Sequence, residues 1–213
     1  MESSPRLTPL QHDAITEIFN IGIGQAAATM SAMVREEVVL SVPTVYFFAR
    51  HELIQYLNTE DDRKVCGVIQ HFSGCFNADA VLLFPEDKSL ELVRMIVGDT
   101  MPLEQMSEME QEAMAEIGNI ILNSCISSIA SLFRGECTSS LPTFESGSFG
   151  RVVKMERHQS SQEQHDNDII LMLLIDFKLE SRSIHGHVAF MLDAPSFEEF
   201  IVEVDRFINQ KYR

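Results

Sequence analysis

Basic residues are scarce in this chain of 213 residues: 16 Lys and Arg stand against 32 Asp and Glu, for a formal net charge of −16 at pH 7. A chain with this charge repels a phosphate backbone instead of neutralising it. Nucleic acids and anionic membrane surfaces are therefore poor candidates for partners. Long apolar runs are also lacking, because the longest, Ile169 to Ile175, is far shorter than the roughly 20 residues of a transmembrane helix. Since no basic, apolar leader precedes the first predicted helix, we expect a cytoplasmic protein without a membrane segment.

Cysteine is sparse, and its spacing includes no CxxC pair; the four residues are Cys66, Cys75, Cys125 and Cys137. We expect reduced thiols in a cytoplasmic protein, most of them acting as small core residues. No long Gly, Ser or Pro tract is present and 45% of the residues are apolar, which argues against disorder. A chain of this length can bury a substantial core.

Histidine gives only a weak indication of a metal site. His185 and His187 alternate on a predicted strand and share one face, but no third ligand is evident nearby. His71, Cys75 and Asp79 are scattered over a predicted hairpin and are interpreted as structural. No catalytic triad and no GxGxxG fingerprint is found, so we predict no metal and no cofactor of the protein's own.

One polar pattern occurs twice, at an offset of 99 residues. It consists of an acid, a Glu four residues later and an Asn three residues after that: Asp13, Glu17 and Asn20 in the first copy, and Glu112, Glu116 and Asn119 in the second. The flanks repeat at the same offset. Thr8 to Gln11 and Ser107 to Glu110 both show the capping-box pattern, and SVPTV aligns with SLPTF, which places Pro43 opposite Pro142. We therefore predict an internal duplication.

The periodicity predicts a helix, three strands and a helix in each half. The predicted elements are long helices from Thr8 to about Met33 and from Ser107 to about Phe133, strands around Pro43 and Pro142, hairpins over Val65–Pro85 and Asp168–Asp193, a short helix at His51–Leu57, and closing helices at Lys88–Val97 and Ser196–Gln210. The proline strands should bend or lie at an edge. The polar stretch Glu156–Asn167 is interpreted as an exposed loop.

Gly22 and Gly24 leave little side chain on the first helix, where we expect the second long helix to approach closely.

The fold prediction is α/β, of the α+β type: one domain, residues 1–213, made of two repeats at about 8–100 and 107–210, related by a pseudo-two-fold axis. Two long helices are expected on one face of a mixed six-stranded sheet. We expect a monomer with pseudo-dimeric symmetry.

Each polar stripe occupies one helix face, since positions i, i+4 and i+7 lie together. A solvated face is the commonest explanation of one such stripe. A solvated face needs only polarity, however, whereas here the same acid and the same amide recur while neighbours such as Phe19 and Gly118 differ. An Asn does not titrate but can hold a water in a chosen direction, and an ionised Glu can bind a partner's cation. The stripes therefore indicate a site that completes the active site of another protein.

The residues resemble the signature of the CheC/CheX/FliY family of chemotaxis phosphatases, Asp/Ser-x3-Glu-x2-Asn followed after about 22 residues by Pro. Asp13, Glu17, Asn20 and Pro43 fit, with 22 residues between Asn20 and Pro43. The second copy keeps the spacing to Pro142, but Glu112 replaces the family's Asp or Ser. With two motifs in one chain, the sequence is most similar to the CheC type within that family.

The resemblance implies hydrolysis of the phospho-aspartate of CheY, the chemotaxis response regulator. It assigns water orientation to Asn20 and Asn119 and docking of a receiver lysine to Glu17 and Glu116. The receiver would supply the Mg²⁺, and no covalent intermediate on this chain is expected. The resemblance also implies CheD, a receptor deamidase, as a further partner. The alternative is a non-catalytic module, either a CheD-binding adaptor or a relative of the motor-switch proteins.

Overall fold

The computed structural model describes residues 7–35, 37–49, 52, 64–74, 77–97, 103–148, 151–152, 169–179 and 182–211. These residues include four helices and seven strands, in the order α1 (Pro9–Val34), β1 (Val38–Ala49), β2 (Lys64–Gly74), β3 (Ala78–Pro85), α2 (Glu86–Val97), α3 (Leu103–Phe133), β4 (Cys137–Ser139), β5 (Thr143–Ser148), β6 (Ile169–Leu179), β7 (Arg182–Leu192) and α4 (Ala194–Lys211). The predicted α+β class, the hairpins β2–β3 and β6–β7, and both closing helices are confirmed. The predicted helix at His51–Leu57 falls outside the described residues except for Glu52, and the predicted loop at Glu156–Asn167 lies wholly outside them.

The sheet has the strand order β1-β6-β7-β3-β2-β4, and β5 also pairs with β2. All the described pairings are antiparallel, so the prediction of a mixed sheet is wrong for the described strands. Within the described residues the sheet has seven strands instead of the predicted six, because the segment around Pro142 divides into β4 and β5. Pro142 has no N–H for a ladder hydrogen bond, so it interrupts the pairing with β2. Pro43, in contrast, lies within β1 at a register shift between Ser41 and Thr44.

The strand order is symmetric. If each strand of one half is replaced by its counterpart in the other half, the same order results in the reverse direction. β1 forms one edge, β4 and β5 form the other, and β3 and β7 meet at the centre. Both proline segments thus lie at an edge, as predicted. This order is compatible with a duplicated chain, but the duplication, the division into repeats and the assignment of all residues to one domain stay predictions.

The two long helices begin differently. Thr8 caps α1 in a capping box: its Oγ1 accepts from the backbone N of Gln11 at 3.2 Å, and its backbone N donates to the Gln11 side chain at 2.9 Å. The matching prediction for Ser107 was wrong, because α3 begins at Leu103 and Ser107 lies inside it. Glu110 instead accepts a hydrogen bond from the buried Ser89 hydroxyl of α2. Glu110 thus makes a tertiary contact with α2 instead of the predicted capping contact with Ser107.

Gly22 allows α1 and α3 to cross closely, as predicted. A Cβ built on Gly22 would lie 2.8 Å from the carbonyl oxygen of Ser124 and 2.9 Å from the Cα of Cys125. The same prediction was wrong for Gly24, which is exposed and has no atom within 4 Å of such a Cβ. Only one of the two glycines therefore has a packing reason.

The core lies chiefly between the helices and one face of the sheet, where Phe19 of α1 meets Phe190 of β7 with ring centroids 5.4 Å apart. By length and composition alone, Met109–Ser131 of α3 could cross a membrane, but core residues such as Ile117 and Ile121 are fully buried within the protein. A smaller buried cluster, which includes Val81 and Met172, covers the opposite face of the sheet.

The cysteines only partly follow the prediction. Cys66 and Cys125 are free and buried, as expected for core residues. Cys137 is disulfide-bonded, so the prediction of a reduced thiol is wrong at this position. It lies half-buried on the edge strand β4, opposite Gly74, instead of in the core. Cys75 lies outside the described residues.

Candidate functional site

The two polar stripes lie on neighbouring helices, α1 and α3, on sides that face solvent. We call Glu17 with Asn20 the first pair, and Glu116 with Asn119 the second pair. Asn20 and Glu116 are exposed, while Glu17 and Asn119 are partly buried. The leading acids Asp13 and Glu112 are both exposed, and neither has a hydrogen bond or ion pair to another described residue.

In the first pair, a backbone N–H of β1 and a backbone carbonyl of α1 hold the side-chain amide of Asn20. The backbone N of Val42 donates to Asn20 Oδ1 at 3.1 Å, and Asn20 Nδ2 donates to the carbonyl oxygen of Thr16 at 3.0 Å. Val42 lies within the register shift beside Pro43, where the ladder between β1 and β6 is interrupted. A proline soon after this position supports that interruption, which gives a physical reason for the spacing between Asn20 and Pro43.

The acid of the first pair is already bound to a cation of the same chain. The Nζ of Lys211, the last residue of α4, forms an ion pair with both carboxylate oxygens of Glu17. Lys211 also lies over the ring of Phe207, with its Nζ 5.9 Å from the ring centroid. Both charged side chains stay about two-fifths exposed, at 42% for Lys211 and 43% for Glu17. A cation from a partner must therefore compete with Lys211 for this carboxylate.

In the second pair, two side-chain amides hold Asn119. Its Oδ1 accepts from Gln70 Nε2 at 3.1 Å and from Asn123 Nδ2 at 2.8 Å. Gln70, on β2, is only 1% exposed, and its Nε2 also donates to the carbonyl oxygen of Ser140 at 3.0 Å. Glu116 has no ion pair or hydrogen bond to any side chain in the described part of the protein. The second pair thus combines a fixed amide with an exposed carboxylate that has no partner among the described residues.

The sequence prediction missed three of these residues: Gln70, Asn123 and Lys211. Gln70 could have been noticed as a long amide within the apolar strand VCGVIQHF, and Asn123 as the residue one helical turn after Asn119. Lys211 carries no such signal, because 194 residues separate it from Glu17.

The candidate metal residues are paired differently. His71 Nδ1 lies 2.7 Å from Asp79 Oδ1, and His185 Nδ1 lies 2.6 Å from Asp176 Oδ1, in both cases across a hairpin. Among the described residues no group of three or more His, Cys, Asp or Glu could hold a metal ion. Burial raises the pKa of the Cys125 thiol, on the inner side of α3, to about 12, so this residue is a core thiol and not a nucleophile.

Chemically, each pair can bind a cation through its carboxylate and direct a water through its amide. Neither pair contains a Ser, Thr, Cys, Lys or His side chain that could serve as a nucleophile. The arrangement therefore suits the binding of a partner that presents a cation, with an amide beside it that can hold a water.

No protein-family model matches the chain. The chain is 23% identical to the CheY-P phosphatase CheC of Bacillus subtilis (strain 168), over 195 residues that cover 90% of this chain and 92% of that protein. Its fold is similar to that of Thermotoga maritima FliY, with a TM-score of 0.69, 20% identity, and coverage of 95% of this chain and 99% of that one. The middle domain of FliM from H. pylori is similar over 92% of this chain and 99% of its own, with a TM-score of 0.58 and 12% identity.

Proposed function

We propose that this chain, a member of the CheC/CheX/FliY family, is a phosphatase that hydrolyses the phospho-aspartate of a CheY-like receiver domain. The CheC protein to which it is similar is named as a CheY-P phosphatase. The observation that carries the proposal is the pair of solvent-facing carboxylate and amide groups, each with its amide oxygen held by the protein. A solvated helix face needs no such fixed amide.

In the proposed reaction, Asn119 or Asn20 holds a water in line with the bond between phosphorus and the aspartate oxygen. A bond forms between the water oxygen and phosphorus, and the bond to aspartate breaks. The electron pair of the broken bond stays on the aspartate, which leaves as a carboxylate, and a water proton is released as inorganic phosphate forms. The receiver would carry the Mg²⁺, which would supply the positive charge that the phosphoryl group needs.

Glu116 and Glu17 are proposed to dock a lysine of the receiver beside its phosphorylated aspartate. A carboxylate that pairs with an ammonium forms a charge-assisted hydrogen bond, which fixes the orientation of the partner. The net charge of −16 is compatible with a partner that presents a cation at the contact. We further propose a cytoplasmic monomer with pseudo-dimeric symmetry, for which CheD is a second candidate partner.

A non-catalytic module is the second candidate, because the fold is also that of the FliM middle domain. On this alternative the chain binds a receiver, CheD or a motor protein without turnover. A pure binder has no use for an amide held so that one end faces solvent, and the amide is held in both pairs. That difference favours the phosphatase.

The decisive experiment follows the decay of a phosphorylated CheY-like receiver in Mg²⁺, with and without this protein. We expect faster decay with the wild-type chain, and loss of that acceleration in the double variant Asn20→Ala/Asn119→Ala, which should still bind the receiver. Asn209→Ala is a matched control, because Asn209 is an exposed helical Asn whose Nδ2 also donates to a carbonyl one turn earlier, that of Asp205 at 2.8 Å. Wild-type protein that leaves the decay unchanged, alone and with CheD added, contradicts the proposal and supports the adaptor.

A further inference from the structure

We propose that Gln70 and Asn123 are positioning residues that fix Asn119 with its carbonyl oxygen turned inward and its NH₂ group turned toward the reacting water. This inference rests on the proposed function. It concerns how the second pair is held, which no feature of the polar motif itself specifies.

Two backbone carbonyl groups determine the orientation of the whole cluster. The carbonyl oxygen of Ser140 can only accept, so Gln70 must point its Nε2 toward it, at 3.0 Å. The carbonyl oxygen of Asn119 can likewise only accept, and Asn123 Nδ2 donates to it at 2.8 Å. Asn123 Nδ2 also lies 3.3 Å from Gln70 Oε1, which this arrangement leaves as an acceptor. Neither amide can be rotated without turning an oxygen toward a carbonyl oxygen.

These two amides then leave one orientation for Asn119. Both direct N–H groups at its side chain, from Gln70 at 3.1 Å and from Asn123 at 2.8 Å. A rotated Asn119 would turn its own N–H groups toward these donors, one of which belongs to a side chain that is only 1% exposed. Since a buried donor without an acceptor is strongly disfavoured, Asn119 presents Oδ1 to the protein.

The consequence concerns the reaction. Both lone pairs of Asn119 Oδ1 are engaged, whereas its Nδ2 donates to no other described group. Asn119 therefore holds the water by donating an N–H to the water oxygen. The second lone pair of that oxygen is left to attack phosphorus, and the water protons are left for the receiver and solvent.

The first pair lacks this support. On β6, Ile175 lies between Asp176 and Leu174, which pair with Ser41 and Thr44 on either side of the register shift. Ile175 thus has the same position relative to Pro43 as Gln70 has relative to Pro142. It is buried, and its side chain has no hydrogen-bond donor. The residue 99 positions before Asn123 is Gly24. Effects of Gln70 and Asn123 should therefore be confined to the second pair.

The test uses Gln70→Met, which keeps length and removes the donors, in two backgrounds. In Asn20→Ala, where only the second pair acts, we expect kcat for the phosphorylated receiver to fall about tenfold or more, with KM nearly unchanged. In Asn119→Ala, where only the first pair acts, no further loss is expected. Equal losses in both backgrounds would make Gln70 merely structural and overturn the inference, and so would a change in KM alone.

Asn123→Ala provides a second variant at a partly buried position, where folding is less at risk than at the fully buried Gln70. It removes one of two donors, so we expect a smaller fall in kcat, about threefold, again only in the Asn20→Ala background. No fall in that background overturns the role of Asn123.

Nitrogen-15 NMR of the Gln70 side chain separates this inference from the proposed function. We expect two slowly exchanging NH₂ proton signals, because one proton is donated to Asn119 and the other to Ser140. The signals should shift in Asn119→Ala and in Asn123→Ala, and not in Asn20→Ala. Rapid exchange in the wild-type protein, or no response to Asn119→Ala, overturns the inference whether or not the protein proves to be a phosphatase.

Discussion

Glu17 of the first pair is bound to Lys211 of the same chain, whereas Glu116 of the second pair faces solvent with no described partner. Their asparagines differ as well. A backbone N–H of β1 holds Asn20, and two side-chain amides hold Asn119. The same short motif has thus been placed on two different supports. A repeated motif therefore does not imply two equal sites, and we expect the second pair to carry the larger share of the activity.

The difference arises from elements outside the motif. α4 ends beside α1 and supplies Lys211, and Gln11 on α1 also donates to Asp205 on α4 at 2.8 Å. These two contacts tie the closing helix of the second half to the first pair.

The largest effect should come from removing the exposed carboxylate of Glu116. In the Asn20→Ala background, Glu116→Ala should raise KM for the phosphorylated receiver about tenfold to a hundredfold, because a charge-assisted hydrogen bond to the docking lysine is lost. Glu17→Ala in the Asn119→Ala background should raise KM much less, since Lys211 already occupies Glu17. Steady-state kinetics of phosphate release measure both. Similar rises in the two backgrounds would remove the distinction between the acids.

A smaller effect should follow from freeing the first pair. In the Asn119→Ala background, Lys211→Ala should increase activity, because it frees Glu17 to bind the lysine of the receiver. The increase should be only about two- to fivefold, because an exposed ion pair is weak and a partner can displace it. The same change in the Asn20→Ala background, where the first pair is inactive, serves as the control and should have no effect. A loss of activity in Asn119→Ala would show that Lys211 assists the first pair instead of blocking it.

The helix crossing beneath both pairs can be tested through stability. Gly22→Ala should destabilise the fold by about 1–3 kcal/mol, because its methyl group would meet the backbone of α3. Gly24→Ala is matched on the same helix in open space and should stabilise by about 1 kcal/mol or less. Unfolding by denaturant, followed by circular dichroism, compares the two. Equal responses would contradict the close crossing at Gly22.

The weakest expected response is that of the buried thiols. Burial raises the pKa of Cys125 to about 12, and burial also raises the pKa of Cys66. Since the thiolate is the reactive form, the fraction present at pH 8 is small, about 1 in 10,000 for Cys125. Neither residue should be alkylated in the native protein, and both should be alkylated in guanidinium. Mass spectrometry of the labelled peptides measures this, and rapid native labelling of Cys125 would contradict the packing of α3.

Local patterns predicted the parts of the fold that depend on local physics. Thr8 and Gln11 fix the start of α1 through contacts three residues apart, and the sequence shows them directly. The same pattern failed at Ser107, because α3 begins earlier, at Leu103, and Glu110 contacts Ser89 of α2 instead.

The candidate site shows the same contrast between local contacts, which the sequence predicted, and long-range contacts, which it did not. The repeated motif placed the four Glu and Asn side chains at solvent-facing positions of α1 and α3, where they were expected. It could not reveal Gln70 or Lys211, which reach Asn119 and Glu17 across 49 and 194 residues. Such contacts depend on strand order and helix docking, which periodicity alone does not determine. Whether the four side chains act in catalysis stays a prediction.

The most direct test of the unequal roles of the two pairs compares Asn20→Ala with Asn119→Ala at equal protein concentration. The initial decay rate of a phosphorylated CheY-like receiver would be measured in Mg²⁺, at a receiver concentration well below KM. We predict that Asn119→Ala loses the larger share of the wild-type activity, because Glu116 is exposed and has no partner among the described residues, whereas Glu17 is bound to Lys211. Equal losses, or a larger loss in Asn20→Ala, would contradict the account.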